Sequence, residues 1–171
     1  NRPALRPADL PAGRPIAGFY GTLAPWLDLE LIEKAAASLP EWWFVFIGPE
    51  TVDTRRIRAL DNVRFLGPRK HSELPAYVHN WDVSLLPFRA CAQIEACNPL
   101  KLREYLAAGR PIVSTPFPAL DPYRDLIFTA SSAGGFTQAI RRARHDSGRD
   151  FQRQDSVRKE TWAMRAAYAE R

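Results

Sequence analysis

Apolar residues in this chain gather into short runs, separated by longer stretches with a helical period. The runs at 16–20, 42–47, 63–66, 83–86, 112–114 and 126–129 have strand length. Their continuity is that of strands buried on both faces. Between the first two, Leu27, Leu31, Ile32, Ala35 and Leu39 share one face and predict a helix over 27–39. A weak helix is expected over 51–60, and a short one capped by Ser72 should reach about His79. Further helices are expected over 99–108, over 135–146 at the Gly134-Gly135 break, and over 154–170. Residues 88–97 read as a loop. This alternation predicts an α/β fold: a three-layer, doubly wound sheet of about six mainly parallel strands. Right-handed crossovers would then gather the strand-to-helix loops at one edge.

The helix over 99–108 has both ends written into the sequence. Asn98 suits the N-cap, Pro99 the first helical position, Gly109 the left-handed C′ position, and Pro111 blocks continuation. A helix that starts behind a parallel strand presents its N-terminus to phosphate. Leu100 and Lys101 would offer backbone N–H groups there, and Lys101 and Glu104, three apart, share a face. Leu102, Tyr105 and Leu106 form the core face. The loops expected beside it are Gly21-Thr22, Gly48-Pro49, Leu66-Gly67-Pro68 with Arg69, and Pro87-Phe88 through Asn98. Gly21 would let backbone approach a ligand closely.

Three segments resemble a known family. Pro99 to Thr115, reading PLKLREYLAAGRPIVST, is similar to the donor-binding segment of retaining glycosyltransferases of the GT-B fold. Phe65-Leu66-Gly67-Pro68 followed by Glu73-Leu74-Pro75-Ala76-Tyr77, and Trp81-Asp82-Val83-Ser84-Leu85-Leu86-Pro87-Phe88, are similar to two more of its motifs. The likeness runs in order over about 16–170. It implies a Rossmann-like domain, one half of a GT-B fold, that binds a UDP- or GDP-sugar and serves hexosyl transfer with retention and no metal. Glu104 matches the second glutamate of the family's E-x7-E motif, which implies that it accepts the ribose hydroxyls. The first glutamate is expected at position 96, where this chain has Ala96; Glu95 is one residue off register. The family's cations after the first strand are also missing from Thr22 to Asp28, leaving Lys101, Arg89 or Arg69 to face the diphosphate. Glu95 and Lys101 are therefore the catalytic candidates.

Composition adds bounds. The chain has 171 residues, about one domain, with 46% apolar residues and a net charge of +5. Arg55, Arg56 and Arg58, and Arg141, Arg142 and Arg144, are local basic clusters that could meet an anionic membrane surface. No nucleic-acid-binding motif accompanies them. Cys91 and Cys97, six apart, match no metal-ligand or redox spacing. His71 and His79 are lone histidines in or near a short helix, read as structural or exposed. No apolar run approaches the roughly 20 residues of a membrane span, so a cytoplasmic location is expected. Residues 1–15 carry Pro3, Pro7, Pro11 and Pro15 and read as a linker, with the donor domain over 16–171. With no initial Met, this suggests a piece of a longer protein whose N-terminal acceptor domain lies elsewhere. The C-terminal helix, around Trp162, Met164 and Tyr168, should then leave an apolar patch that could seat a dimer partner. Two alternatives stay open: a nucleotide-sugar epimerase of the same fold, and a non-catalytic nucleotide-binding module.

Overall fold

The computed structural model describes residues 5–146 and 148–158. Six strands form one sheet in the order β3-β2-β1-β4-β5-β6: β1 Ile16–Tyr20, β2 Trp43–Ile47, β3 Val63–Phe65, β4 Val83–Leu86, β5 Ile112–Ser114 and β6 Ile127–Thr129. Every neighbouring pair is parallel. The helices are α1 Leu29–Ser38, α2 Arg55–Arg58, α3 Leu74–Asn80, α4 Ala92–Glu95, α5 Leu100–Ala107, α6 Ala133–Arg144 and α7 Asp150–Val157. The chain steps outward from β1 to β2 through α1, but in the opposite direction from β4 to β5 through α5. Right-handed crossovers therefore place α1 and α5 on opposite faces. Helix α6 packs against α1, and α7 against α5. The strand order reverses between β1 and β4, and ligands of open α/β sheets sit outside the carboxyl ends of the strands at such a point.

The core beneath that point is aromatic. Trp81, just ahead of β4, is 1% exposed and lies against Gly18 of β1, where a Cβ would come within 1.8 Å of the indole. Its Nε1 donates to Ser84 Oγ at 3.0 Å, which satisfies both buried polar groups. Tyr20 stacks on Trp81, and Tyr105 of α5 meets both rings edge-on. A glycine in mid-strand thus makes room for the tryptophan that fixes two tyrosines at the sheet edge. On the far side, α7 is clasped to the C-terminus of α5. The buried Arg153 donates to Leu126 O at 3.2 Å and Gly109 O at 3.3 Å, and pairs with Asp146.

Several local readings are corrected. Residues 5–15 form no helix or strand, yet they are docked: Leu10 is buried, and Trp43 Nε1 donates to Ala12 O at 2.9 Å. Asn98 does not cap α5. Its Oδ1 accepts from Arg103 Nη1 at 2.7 Å, and the extended Pro99 holds the cap position with no side-chain hydrogen bond. Ser72 caps nothing; it lies inside a one-turn 3-10 segment, His71–Glu73, whose Glu73 carboxylate accepts from Lys70 N at 2.8 Å. The 88–97 loop contains α4, and Pro118–Leu126 forms a 3-10 segment. Helix α6 starts two residues early because Ser132 accepts from Gly135 N. Helix α7 begins at Asp150, ahead of the expected 154. The patch expected around Trp162, Met164 and Tyr168 lies outside the described residues.

Candidate functional site

Three glycines with positive φ end the first three strands: Gly21 at +130°, Gly48 at +142° and Gly67 at +72°. Their roles differ. Gly48 is packed backbone to backbone, since a Cβ there would lie 2.2 Å from Gly21 O, and its N–H donates to Gly67 O at 3.1 Å. Gly48 thus seats the Gly21 turn, and Gly67 supplies the acceptor for its N–H. Gly21 faces α5. A Cβ on it would stand 2.4 Å from Lys101 Nζ, so the bare backbone is what admits the ammonium.

Lys101 is half-buried. Its Nζ lies 4.8 Å from the centre of the Phe19 ring and 5.7 Å from that of Tyr20. Burial pulls its pKa below the ordinary lysine value, while Glu104 and Cys97 push it back up. Among the described residues, no carboxylate lies within ion-pair distance of it. The first donor of the α5 ladder is Leu102 N, to Pro99 O at 3.1 Å, so the Leu100 and Lys101 amides lie ahead of it. Leu100 itself is 47% exposed. A desolvated cation, two helix-start amides and an open glycine turn thus converge at the β1/β4 reversal. That combination suits an anion.

Glu104, one turn further along α5, is held from two sides. The Tyr20 hydroxyl donates to its Oε2, and His71 Nε2 lies 2.8 Å from its Oε1. Tyr20 N in turn donates to the Tyr105 hydroxyl at 3.1 Å. Burial and the neighbouring Glu104 hold the Tyr20 hydroxyl far above the ordinary phenol value, so it stays a donor. A cavity of about 250 Å³ opens here, walled by Tyr20, His71, Leu74, Pro75, Val78, His79, Glu104, Ala107 and Ala108. It is mostly apolar with one carboxylate, the lining of a small-molecule pocket.

The other expected residues stand apart. Arg69 is committed: it donates to Asp9 Oδ2 at 2.5 Å, Tyr77 Oη at 3.0 Å and Pro68 O at 2.9 Å. Asp9 comes from the proline-rich segment, and its carboxyl is held below the usual value by Arg69 and Tyr77, against its own burial. Arg89 stitches loops, its N donating to Trp26 O at 2.8 Å and its Nε to Leu27 O at 3.1 Å. Pro87 O accepts from Asp28 N at 2.8 Å. Thr22 is half-buried beside Leu23, whose N donates to Pro49 O. Glu95 and Asn98 do not meet Glu104. They line a second, shallower cavity of about 420 Å³ with Cys97, Arg103, Pro118, Ala119, Pro122 and Tyr123, and it shares no residue with the first. Sequence reasoning missed Tyr20, and it read His71 as incidental. The signal for Tyr20 was its place as the last residue of the strand at the reversal point. Among the described residues, no cluster of three or more His, Cys, Asp or Glu is placed to hold a metal ion. No described helix is long and apolar enough to cross a membrane.

Comparison with known proteins agrees with this architecture. Residues 14–146 match the family described as "Glycosyl transferases group 1". Over 108 residues the chain is 36% identical to TuaH of Bacillus subtilis (strain 168), named as a teichuronic acid biosynthesis glycosyltransferase; the match covers 61% of this chain and 27% of that one. A sucrose-phosphate synthase from Thermosynechococcus elongatus superposes with a TM-score of 0.71 at 22% identity, over 94% of this chain and 46% of its own. A TarM mutant from S. aureus, in complex with fondaparinux, alpha-GlcNAc-glycerol and UDP, gives a TM-score of 0.67 at 10% identity, over 95% and 36%. The chain thus spans less than half the length of each of these relatives.

Proposed function

The chain belongs to the group 1 glycosyl transferases, and from that premise we propose that it is the donor-binding, C-terminal half of such an enzyme. The donor is a nucleoside diphosphate sugar, with UDP and GDP the two forms to test. Its diphosphate lies over Gly21 and the amides of Leu100 and Lys101, its ribose on Glu104, and its base in the cavity between α3 and α5. One observation carries this reading: a half-buried lysine without an ion-pair partner among the described residues faces a glycine turn at the point where the strand order reverses. Burying an ammonium costs free energy unless an anion meets it, and a diphosphate supplies one.

The chemistry follows from that placement. In hexosyl transfer the bond from the sugar's anomeric carbon to the diphosphate oxygen breaks, and negative charge grows on the leaving group. Lys101 and the helix-start amides sit where that charge develops, and preorganised donors in a dry site stabilise it well. No metal is required for this task. The acceptor hydroxyl, presented by the other half of the enzyme, bonds to the anomeric carbon on the face the diphosphate leaves, so configuration is retained, and its proton passes to the departing diphosphate oxygen. Glu95 has no part in holding the nucleotide. The chain alone binds donor without transferring it.

Calorimetric titration of the 171-residue chain with UDP, GDP, uridine and pyrophosphate tests the reading. A diphosphate nucleotide should bind at least tenfold more tightly than its nucleoside or pyrophosphate alone. Equal affinity for uridine and UDP would remove Lys101 from the phosphate role.

A further inference from the structure

Glu104 ends in a loose rotor. The last torsion of a glutamate is broad and two-fold, so a carboxylate on a helix surface does not by itself aim its oxygens in one direction. What aims this one comes from β1. Gly18 and Tyr20, two apart, lie on one face of that strand. Trp81 fills the space that Gly18 leaves, the Tyr20 ring stacks on the indole at a centroid distance of 6.4 Å, and Tyr105 closes edge-on at 5.2 Å. Tyr20 is 7% exposed, and its N–H is tied to the Tyr105 hydroxyl. Its own hydroxyl reaches out of this packing to Glu104 Oε2. Burial above all keeps that phenol protonated, so it remains a donor. The His71 side chain beside Oε1 is 82% exposed, and such exposed contacts restrain a partner little.

A ribose presents two adjacent hydroxyls, and a carboxylate has about four acceptor sites. Tyr20 takes one site on Oε2, and His71 at most one on Oε1. One site is left on each oxygen, which is the number a diol needs, with Tyr20 still in place. We propose that Tyr20 is a positioning residue for the ribose site: its hydroxyl fixes the Glu104 carboxylate in the orientation that meets a diol, and so makes the site select ribonucleotides over nucleotides that lack one. This rests on the ribose role of Glu104 given above. The aromatic stack from Gly18 to Tyr105 then serves recognition as well as packing, because it holds the donor that aims the carboxylate.

The test measures the affinity of wild type and Tyr20→Phe for UDP or GDP, whichever the chain binds, and for the 2′,3′-dideoxy form of the same nucleotide. That form keeps base and diphosphate but lacks the diol. Tyr20→Phe keeps the ring in its stack and removes only the donor. It should weaken the ribonucleotide about three- to tenfold, the cost of ordering one freed side chain on binding, and leave the dideoxy nucleotide unchanged. A merely structural role would weaken both alike, so an equal loss overturns the proposal, as does an unchanged affinity for the ribonucleotide. A second readout needs no variant. The Tyr20 hydroxyl proton should keep its downfield NMR signal when the ribonucleotide binds, because the hydroxyl stays on Glu104; loss of that signal would overturn the positioning role. Equal affinity of wild type for the two nucleotides would instead remove the ribose role of Glu104 itself, a separate failure.

Discussion

The two carboxylates flanking the start of α5 show how differently a fold treats similar residues. Glu104 stands on a regular helix, against a tyrosine locked into an aromatic core, and beside an apolar cavity. Glu95 stands on the single turn of α4, exposed, over a shallow cavity of its own. One is preorganised; the other is displayed. A binding group must be held in place before the ligand arrives if its interaction is to exceed the cost of ordering it. The geometry on the Glu104 side meets that condition.

Breaking the scaffold should have the largest effect. Gly18→Ala drives a methyl into the Trp81 ring. It should cost about 3 kcal/mol, at the upper end for overpacking, and loosen Tyr20 and Tyr105 together. Thermal unfolding with near-ultraviolet circular dichroism of the tryptophans reads both. A cost confined to below about 1 kcal/mol would mean that the aromatic cluster is not the support of the Glu104 side.

Next comes Lys101→Met. It should weaken UDP or GDP by about 2–3 kcal/mol, the range for hydrogen bonds to charged groups, yet raise the unfolding temperature of the empty chain. The pH dependence has a definite sign. Burial lowers the Lys101 pKa in the folded chain, so its charged form opposes folding at neutral pH. That opposition fades as pH rises through the lowered value toward the ordinary one. A bound diphosphate stabilises the ammonium and raises the pKa again, so affinity should fall as pH climbs above the free-state value. Calorimetry across that range should show the decline in wild type and none from this source in the variant.

Glu104→Ala sharpens the comparison directly. It should cost about 2 kcal/mol of nucleotide affinity and little stability. Glu95→Gln should change nucleotide affinity by less than about 0.5 kcal/mol, as surface substitutions away from a site do. If Glu95→Gln matched Glu104→Ala, the contrast between the two carboxylates would collapse.

Much of this was legible in the sequence, for stated reasons. Short apolar runs marked the strands because parallel strands are largely buried, although Arg64 interrupts β3 at the sheet edge. Gly109, at φ +75°, and Pro111 marked the end of α5 because their backbone chemistry is local. Lys101 and Glu104 were legible as one face of a helix. What failed depended on side-chain partners that a pattern of apolar positions does not announce. Arg69 read as a free cation because Asp9, 60 residues earlier, lies in a segment with no periodicity. Asn98 read as a cap because nothing local showed that Arg103 would claim its carbonyl. The Tyr20–Glu104 contact joins residues 84 apart, and only strand order brings them together.

The central claim is that a nucleoside diphosphate lies along α5, with its phosphates at Lys101 and its ribose at Glu104. A crystal structure of the chain with UDP or GDP tests it most directly. The account predicts phosphate oxygens within hydrogen-bond distance of Lys101 Nζ and the Leu100 and Lys101 amides, both ribose hydroxyls on Glu104, and the base between α3 and α5. A nucleotide seated instead in the cavity at Glu95, or with its phosphates away from Gly21 and Lys101, would contradict it.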